Sequence, residues 1–248
     1  MAGAALPGRL IWRSGRVVEL IEETARARTI VLELPDWPGH RAGQHVDLRL
    51  TAADGYQAQR SYSIASAPEE EHLALTVELI ADGEVSPYLV SELRRGDELE
   101  LRGPIGGYFV WERSDGGPLT LLAGGSGIVP LRAIARHWAS GPRAVAAQLL
   151  YSIRTLEDAI YRDELERLAH DAGLDVQLAL TRGWPDDWTG RRGRIDRALL
   201  AELVAPPGAL PLVYACGPNA FVEAVSQGLV ELGHEPGRIR TERFGPSG

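Results

Sequence analysis

The chain has 248 residues, 44% of them hydrophobic and 24% charged, which excludes a disordered protein. Acidic residues outnumber basic ones by 34 to 26, and the net charge of −8 argues against nucleic acid or an anionic membrane as a partner. All 26 basic residues are arginine, which excludes catalysis by a Schiff-base, pyridoxal-phosphate or Walker A lysine.

The cysteine and histidine content excludes further kinds of site. Cys216 is the only cysteine, so the chain forms no internal disulfide and holds no cysteine-ligated iron–sulfur cluster. The six histidines lack HxH or HExxH spacing, and we predict no metal site. Neither a signal peptide nor a bilayer-spanning apolar segment is found, which predicts a cytoplasmic protein. We expect a monomer.

The first half of the sequence has the period-two pattern of β-strands. One helix is predicted there, over residues 87–94 with Ser86 as its N-cap. Short strands with a single helix indicate an antiparallel barrel or sandwich. The predicted strands are residues 16–24, 29–34, 45–50, 57–63, 73–80 and 99–102.

After the turn-rich residues 114–118 the pattern becomes an alternation of strands and helices, which predicts a mostly parallel sheet covered on both faces. The predicted domains are a tail over residues 1–14, a β domain over 15–112 and an α/β domain over 113–248. The predicted strands of the second half are residues 119–123, 145–151, 176–180, 212–216 and 239–242, and its predicted helices are 131–138, 156–172, 197–204 and 220–232.

Three short motifs have the residue types that hold phosphates or flat rings. The GGSGIVP stretch at 124–130 follows a strand and opens a helix, where free N–H groups and close backbone approach favour a diphosphate. GEVS at 83–86 precedes the helix of the β domain, and RSYS at 60–63 ends a strand with a guanidinium, a ring and hydroxyls. Each motif also has an interpretation without a ligand: a tight turn for GGSGIVP, an ordinary helix cap for GEVS and an exposed strand for RSYS.

Taken in order, RSYS, GEVS, GPIGGYF at 103–109, GGSGIVP, YACGP at 214–218 and the final ERF resemble the ferredoxin–NADP reductase superfamily of flavoproteins. The resemblance extends over nearly the whole chain. It implies an antiparallel Greek-key flavin-binding barrel followed by a Rossmann-like NAD(P)-binding domain with a parallel sheet.

The resemblance also implies roles for the residues of the barrel motifs. Ser63 would hydrogen-bond near flavin N5 and Tyr62 would stack on the flavin ring. FAD is expected, with FMN left open. The flavin-binding residues implied are Arg60, Ser61, Tyr62, Ser63, Gly83, Val85 and Ser86.

In the second domain the resemblance implies a diphosphate cradle and a nicotinamide pocket. Cys216 would lie beside nicotinamide C4 and Glu242 near the reaction centre, and together with Ser63 these are the expected catalytic residues. Phe244 would cover the flavin. Each also has a structural interpretation: a buried apolar thiol, a surface charge and a packed ring. The dinucleotide-binding residues implied are Gly124, Gly125, Ser126, Gly127, Ile128, Pro130, Cys216, Gly217 and Pro218.

Arginines after later strands favour NADPH over NADH, because the 2′-phosphate of NADPH needs cations. Thr181 and Arg182 follow the third predicted strand of the second domain, and Arg192 and Arg194 follow shortly after. These four positions match a hydroxyl–arginine pair and a basic pair of NADP-specific relatives. NADH remains open, because arginine is the only cation this chain uses.

The implied function is hydride transfer from NAD(P)H to bound FAD, followed by electron transfer to a separate acceptor. Many related reductases carry a fused ferredoxin domain, which the single cysteine excludes here. The acceptor is therefore expected to be a ferredoxin, an oxygenase component or a small oxidant. The alternative is a flavin-binding electron-transfer or regulatory subunit with little activity alone.

Overall fold

The computed structural model describes residues 10–244, and strands of its first half form one antiparallel sheet. The order across the sheet is β4-β3-β6-β1-β2-β5. The strands are β1 (Trp12–Thr24), β2 (Ala27–Glu33), β3 (His45–Thr51), β4 (Gln57–Ser63), β5 (Leu73–Glu78) and β6 (Glu98–Ile105).

The two edge strands of this sheet meet, and the sheet closes into a barrel. Ile64 bridges Leu75, and the amide of Ala65 donates to the carbonyl of Ala74 at 2.7 Å. Closure satisfies the edge groups that an open sheet would leave free. Alternating side chains of the strands fill the inside with fully buried leucine and isoleucine, among them Ile30 and Leu48.

Several local predictions for the barrel differ from the structure, among them the start of β1 and the role of Ser86. β1 pairs with β6 from Trp12 onward, so it begins four residues before its predicted start at 16. Ser86 is not the N-cap of the predicted helix: its hydroxyl bonds the backbone N–H and C=O of Ile80 at 3.0 and 3.3 Å. The helix itself is short, with a π-helical turn at Tyr88–Glu92.

The second half forms a parallel sheet in the order β10-β9-β8-β7-β11-β12. With the barrel before it, this confirms the predicted fold. The strands are β7 (Leu119–Gly124), β8 (Ala147–Ile153), β9 (Asp175–Leu180), β10 (Arg191–Arg192), β11 (Leu212–Pro218) and β12 (Ile239–Phe244), and the helices are α1 (Ile128–Ala139), α2 (Arg162–Arg167), α3 (Arg197–Leu203) and α4 (Asn219–Glu231).

The helix predicted over residues 156–172 is interrupted. Thr155 and Asp158 form a capping box around a 3₁₀ turn, Leu156–Asp158. Tyr161 then adopts a left-handed conformation with φ of 64°, and α2 begins only at Arg162. A π-helical turn, Leu168–Ala172, follows. The interruption buries Ile160 and Tyr161 against the barrel and the sheet, a tertiary effect that the helical spacing does not reveal.

A polar network joins the barrel to the α/β half. Arg132 of α1 donates to the carbonyl of Ala65 at 3.1 Å and to both carboxylate oxygens of Glu164 on α2 at 2.8–3.0 Å. The hydroxyl of Tyr161 donates to Thr76 of β5. A buried ion pair adds little net stability, but removing one partner leaves the other charge buried and is strongly destabilising. Within residues 10–244, no helix is both long and apolar enough to cross a membrane.

Candidate active site

The end of β4 presents the RSYS residues in two directions. Ser61 donates to Asp47 of β3 at 2.7 Å, and the ring of Tyr62 is half-buried against the barrel core. Burial raises the pKa of the Tyr62 phenol to about 12, so this ring stays neutral. Ser63 is buried, and within the described part of the chain its hydroxyl has no hydrogen-bond partner.

Arg60 lies on the exposed side of the same strand, beside the GEVS loop. Its guanidinium pairs with Glu84 at 2.7 Å, and the Tyr56 hydroxyl donates to the same carboxylate at 2.9 Å. Val85 packs in the barrel core, and a Cβ at Gly83 would lie 3.1 Å from the Ile80 carbonyl. RSYS and GEVS therefore meet, as a joint phosphate site requires.

The glycine turn after β7 is packed against the end of β11. Gly125–Gly127 forms a 3₁₀ turn that leads into α1 at Ile128, and Pro130 lies in the first turn of that helix. A Cβ at Gly127 would overlap the carbonyl of Cys216 and lie 2.7 Å from the amide nitrogen of Gly217. Only glycine allows the turn to approach β11 this closely.

Cys216 and Glu242 are register neighbours on β11 and β12. Burial, and then the Glu242 carboxylate, raise the pKa of the Cys216 thiol well above its usual range. Burial raises the pKa of Glu242 to about 7, and its Oε2 has no hydrogen-bond partner among the described residues. A neutral thiol is a poor nucleophile, so this pair is not a nucleophilic centre. Phe244, at the end of β12, packs against the core of the α/β half.

The barrel site and the sheet site are connected through α1. Arg132 bonds the carbonyl of Ala65, two residues beyond Ser63. Gly127, five residues before Arg132, lies against Cys216. Five residues, about 7.5 Å along a helix axis, thus separate the contact at the end of β11 from the contact just beyond the end of β4.

A cleft of about 500 Å³ extends from the glycine turn along the carboxyl ends of β8 and β9. Ligands of open α/β sheets collect at this edge. The walls combine cations and carboxylates from both halves of the chain. The charged residues among them are Arg26, Glu78, Arg154, Asp158, Arg182 and Arg194, and the lining also includes Gly124, Gly125, Ser126, Thr181 and Pro218.

The four residues predicted to select NADPH do not all reach this cleft. Arg182 and Arg194 line it and are exposed. The Thr181 hydroxyl donates to the carbonyl of Ile153 at 3.0 Å, which ties β9 to β8. Arg192 is held elsewhere: it donates to the Trp188 carbonyl at 2.8 Å and lies over the Trp184 ring at 5.2 Å.

Sequence reasoning missed the barrel residues of the cleft, Arg26 and Glu78, and assigned no role to Phe221. The ring of Phe221 lies beneath Gly124, where a Cβ would be 2.8 Å from it. Arg26 is in the two-residue turn between β1 and β2, and no local pattern predicts that this turn faces the other domain.

Comparison with known proteins decides the family. Residues 15–110 match the oxidoreductase FAD-binding domain and residues 121–227 match the oxidoreductase NAD-binding domain. A ferredoxin–NADP reductase B from Sorangium cellulosum is 35% identical over 210 residues, covering 82% of this chain and 84% of that protein. This chain belongs to the ferredoxin–NADP reductase superfamily.

Two further relatives are named as parts of oxygenase systems. The glycine betaine monooxygenase reductase subunit of Pseudomonas aeruginosa is 31% identical over 95% of this chain, and the chain spans 66% of that protein's length. The Amycolatopsis cytochrome P450 reductase GcoB superposes with a TM-score of 0.84 at 28% identity, over 96% of this chain and 71% of that one.

The residues of this superfamily member fit a flavin and a nicotinamide dinucleotide. The buried Ser63 hydroxyl lacks a partner among the described residues and could bond a ring nitrogen. In the glycine turn no atom lies within 4 Å of the Cβ position of Gly125, which lines a cleft with several arginines. When bound, the flavin supplies the redox chemistry, taking two electrons as hydride and passing them to an acceptor.

The raised pKa of Glu242 predicts a pH-dependent stability for this reductase-like chain. The folded state favours the protonated carboxyl of Glu242. Its contribution to the free energy of unfolding is therefore complete below pH 4.5 and is lost as the pH rises to about 7. Between those limits the free energy of unfolding of the wild type should fall by about 2–3 kcal/mol relative to Glu242→Gln. Urea unfolding at half-unit pH steps measures the difference. Parallel curves for the two proteins would show that Glu242 titrates normally.

Proposed function

We propose that the protein is an NAD(P)H-dependent flavoprotein reductase that transfers hydride to FAD and then delivers electrons to a separate acceptor. The observation that carries the proposal is the connection through α1. Arg132 bonds the backbone two residues beyond Ser63, whose hydroxyl has no partner among the described residues, and Gly127, five residues before Arg132, lies against Cys216. A ring placed against Tyr62 and Ser63 would then face a nicotinamide placed against Cys216.

The residues of the chain would orient and bind rather than act as acids or nucleophiles. Ser63 would hold the ring nitrogen whose proton content changes, and Arg60 with the GEVS loop would hold the flavin phosphates. The glycine turn would bind the dinucleotide diphosphate, and Cys216 would exclude water from the nicotinamide. Holding the reactants at the right separation and angle is itself a large catalytic effect.

A ferredoxin or an oxygenase component is the acceptor that the relatives support best, since they are named as reductase parts of such systems. The test is reduction of ferricyanide and of added ferredoxin by the purified chain with FAD and NAD(P)H. Turnover with NAD(P)H supports the proposal. A protein that takes up no flavin, or whose flavin is not reduced by either nicotinamide, would refute it.

Arg60→Ala is expected to weaken FAD binding at least tenfold, because a guanidinium–phosphate bond is strong and often bidentate. The fold should tolerate the change, since the Arg60–Glu84 pair is half-exposed and such pairs add at most about 1 kcal/mol. Titration of apoprotein with FAD, followed by flavin fluorescence, measures the affinity. Arg16→Ala, which removes another exposed pair of the barrel, is the matched control. Unchanged FAD affinity in Arg60→Ala would remove Arg60 from the site.

We further propose that NADPH is preferred over NADH, through Arg182 and Arg194. Arg182→Ala is expected to raise the KM for NADPH about tenfold and that for NADH less than twofold, because only NADPH has a 2′-phosphate. Steady-state kinetics with both donors measures this. Arg192→Ala is the control, because Arg192 is bound to Trp188 and lies outside the cleft lining. Equal losses for both donors would refute the 2′-phosphate role.

A further inference from the structure

The barrel forms one wall of the dinucleotide cleft, and its turn between β1 and β2 carries a cation there. Arg26 is exposed, and among residues 10–244 no carboxylate lies within ion-pair distance of its side chain. Its neighbour Arg28, on the same hairpin, has Glu22 at 3.6 Å and does not line the cleft. Arg26 therefore differs from the paired arginines of the barrel surface.

The position of Arg26 is fixed rather than free. One terminal nitrogen donates to the carbonyl of Leu79 at 3.0 Å, and its backbone amide donates to the Thr24 hydroxyl at 3.1 Å. A guanidinium has five N–H donors, so most remain available to a ligand. The hairpin itself is anchored, because Tyr161 from the facing half donates to Thr76, which also bonds Thr29 of β2.

Across the cleft from this hairpin lie the glycine turn and the arginines at the ends of β8 and β9. A dinucleotide bound in the cleft would place its phosphates between the two walls. Glu78, beside Arg26, adds an exposed carboxylate to the barrel wall, which repels those phosphates. The Arg26 guanidinium would attract the phosphates of a dinucleotide and the Glu78 carboxylate would repel them.

We propose that Arg26 is a phosphate ligand of the dinucleotide, so that the nicotinamide cofactor is bound from the barrel as well as from the sheet, with Glu78 opposing it. This inference rests on the proposed function, since it needs a dinucleotide in the cleft. A residue of the flavin-binding half would then help to determine which dinucleotide the other half binds.

Calorimetric titration of the FAD-loaded protein with NADP⁺ and NAD⁺ tests the proposal by affinity rather than turnover. Arg26→Ala should raise the Kd for NADP⁺ about tenfold, and Glu78→Gln should lower it two- to fivefold. Arg28→Ala removes the same charge from the same hairpin and should change it less than twofold. A loss confined to NADP⁺ assigns Arg26 to the 2′-phosphate, and a loss shared with NAD⁺ assigns it to the diphosphate.

Two results would overturn the inference: a Kd changed less than twofold by Arg26→Ala, or an equal loss in Arg28→Ala. If the wild type binds neither dinucleotide, the proposed function fails and this inference fails with it. If the wild type binds and Arg26→Ala binds equally well, only this inference fails. Melting temperatures of the variants, measured in parallel, separate a binding loss from unfolding.

Discussion

Replacing Glu164 by alanine is expected to lower the free energy of unfolding by about 3–5 kcal/mol, because it leaves a buried charge without its partner. The Arg132 side chain is 7% exposed, and without Glu164 its remaining bond is to the Ala65 carbonyl. Arg136 keeps its ion pair with Glu70 at 2.6 Å, so only Arg132 is left without a carboxylate partner. Chemical denaturation of the wild type and the variant measures it.

The matched control is Glu166→Ala, which breaks the exposed Arg162–Glu166 pair on the same helix. That change should cost no more than about 0.5 kcal/mol. Burial opposes ionisation of Glu164, but the bonds from Arg132 and Arg136 prevail and lower its pKa. The contribution of the pair should therefore be complete above the usual pKa of glutamate and disappear in acid. Equal losses in the two variants at neutral pH would contradict the structural assignment.

Gly127→Ala is expected to reduce the rate of flavin reduction by NAD(P)H at least a hundredfold while FAD remains bound. The added Cβ would overlap the Cys216 carbonyl, and backbone cannot yield as a side-chain end can. The glycine turn and the end of β11 must then separate, which displaces the nicotinamide pocket. A shift of about 1 Å is enough for a hundredfold loss. Stopped-flow absorbance of the flavin measures the rate.

Gly208→Ala is the control for this prediction, because no atom lies within 4 Å of its Cβ position. It should reduce flavin at the wild-type rate. The FAD content of Gly127→Ala, measured after gel filtration, shows whether the barrel is intact. If Gly127→Ala retained the wild-type rate with full FAD content, the nicotinamide could not be bound where the turn meets β11.

The sequence predicted the two-part fold because the period of hydrophobic residues changes near residue 114 and each half keeps its own period. The sequence-based prediction was wrong where tertiary contacts override the local spacing of hydrophobic residues. Tyr161 lies in the middle of an amphipathic pattern, but burial against the barrel takes it out of the helix. Ser86 has the residue type of an N-cap, but the turn at Ile80 uses its hydroxyl.

The glycine turn and strand ends of the candidate site could be proposed from the sequence because they carry recognisable residue types. The arginines of the cleft were harder to predict, because the sequence does not indicate which way an arginine in a loop points. Arg192 and Arg194 are two residues apart in the sequence, but only Arg194 reaches the cleft, because Trp184 and Trp188 hold the other. Arg26 could not be assigned at all, since its role depends on how the halves meet.

The bond from Arg132 to the barrel ends on a main-chain oxygen, at Ala65. Any amino acid at that position supplies the same acceptor, so the bond does not depend on the identity of the barrel side chain. Arg132 and Glu164 have no such freedom and must change together. A chimera that combines a foreign barrel with this α/β half should therefore keep this bond, because both partners of the ion pair belong to the α/β half.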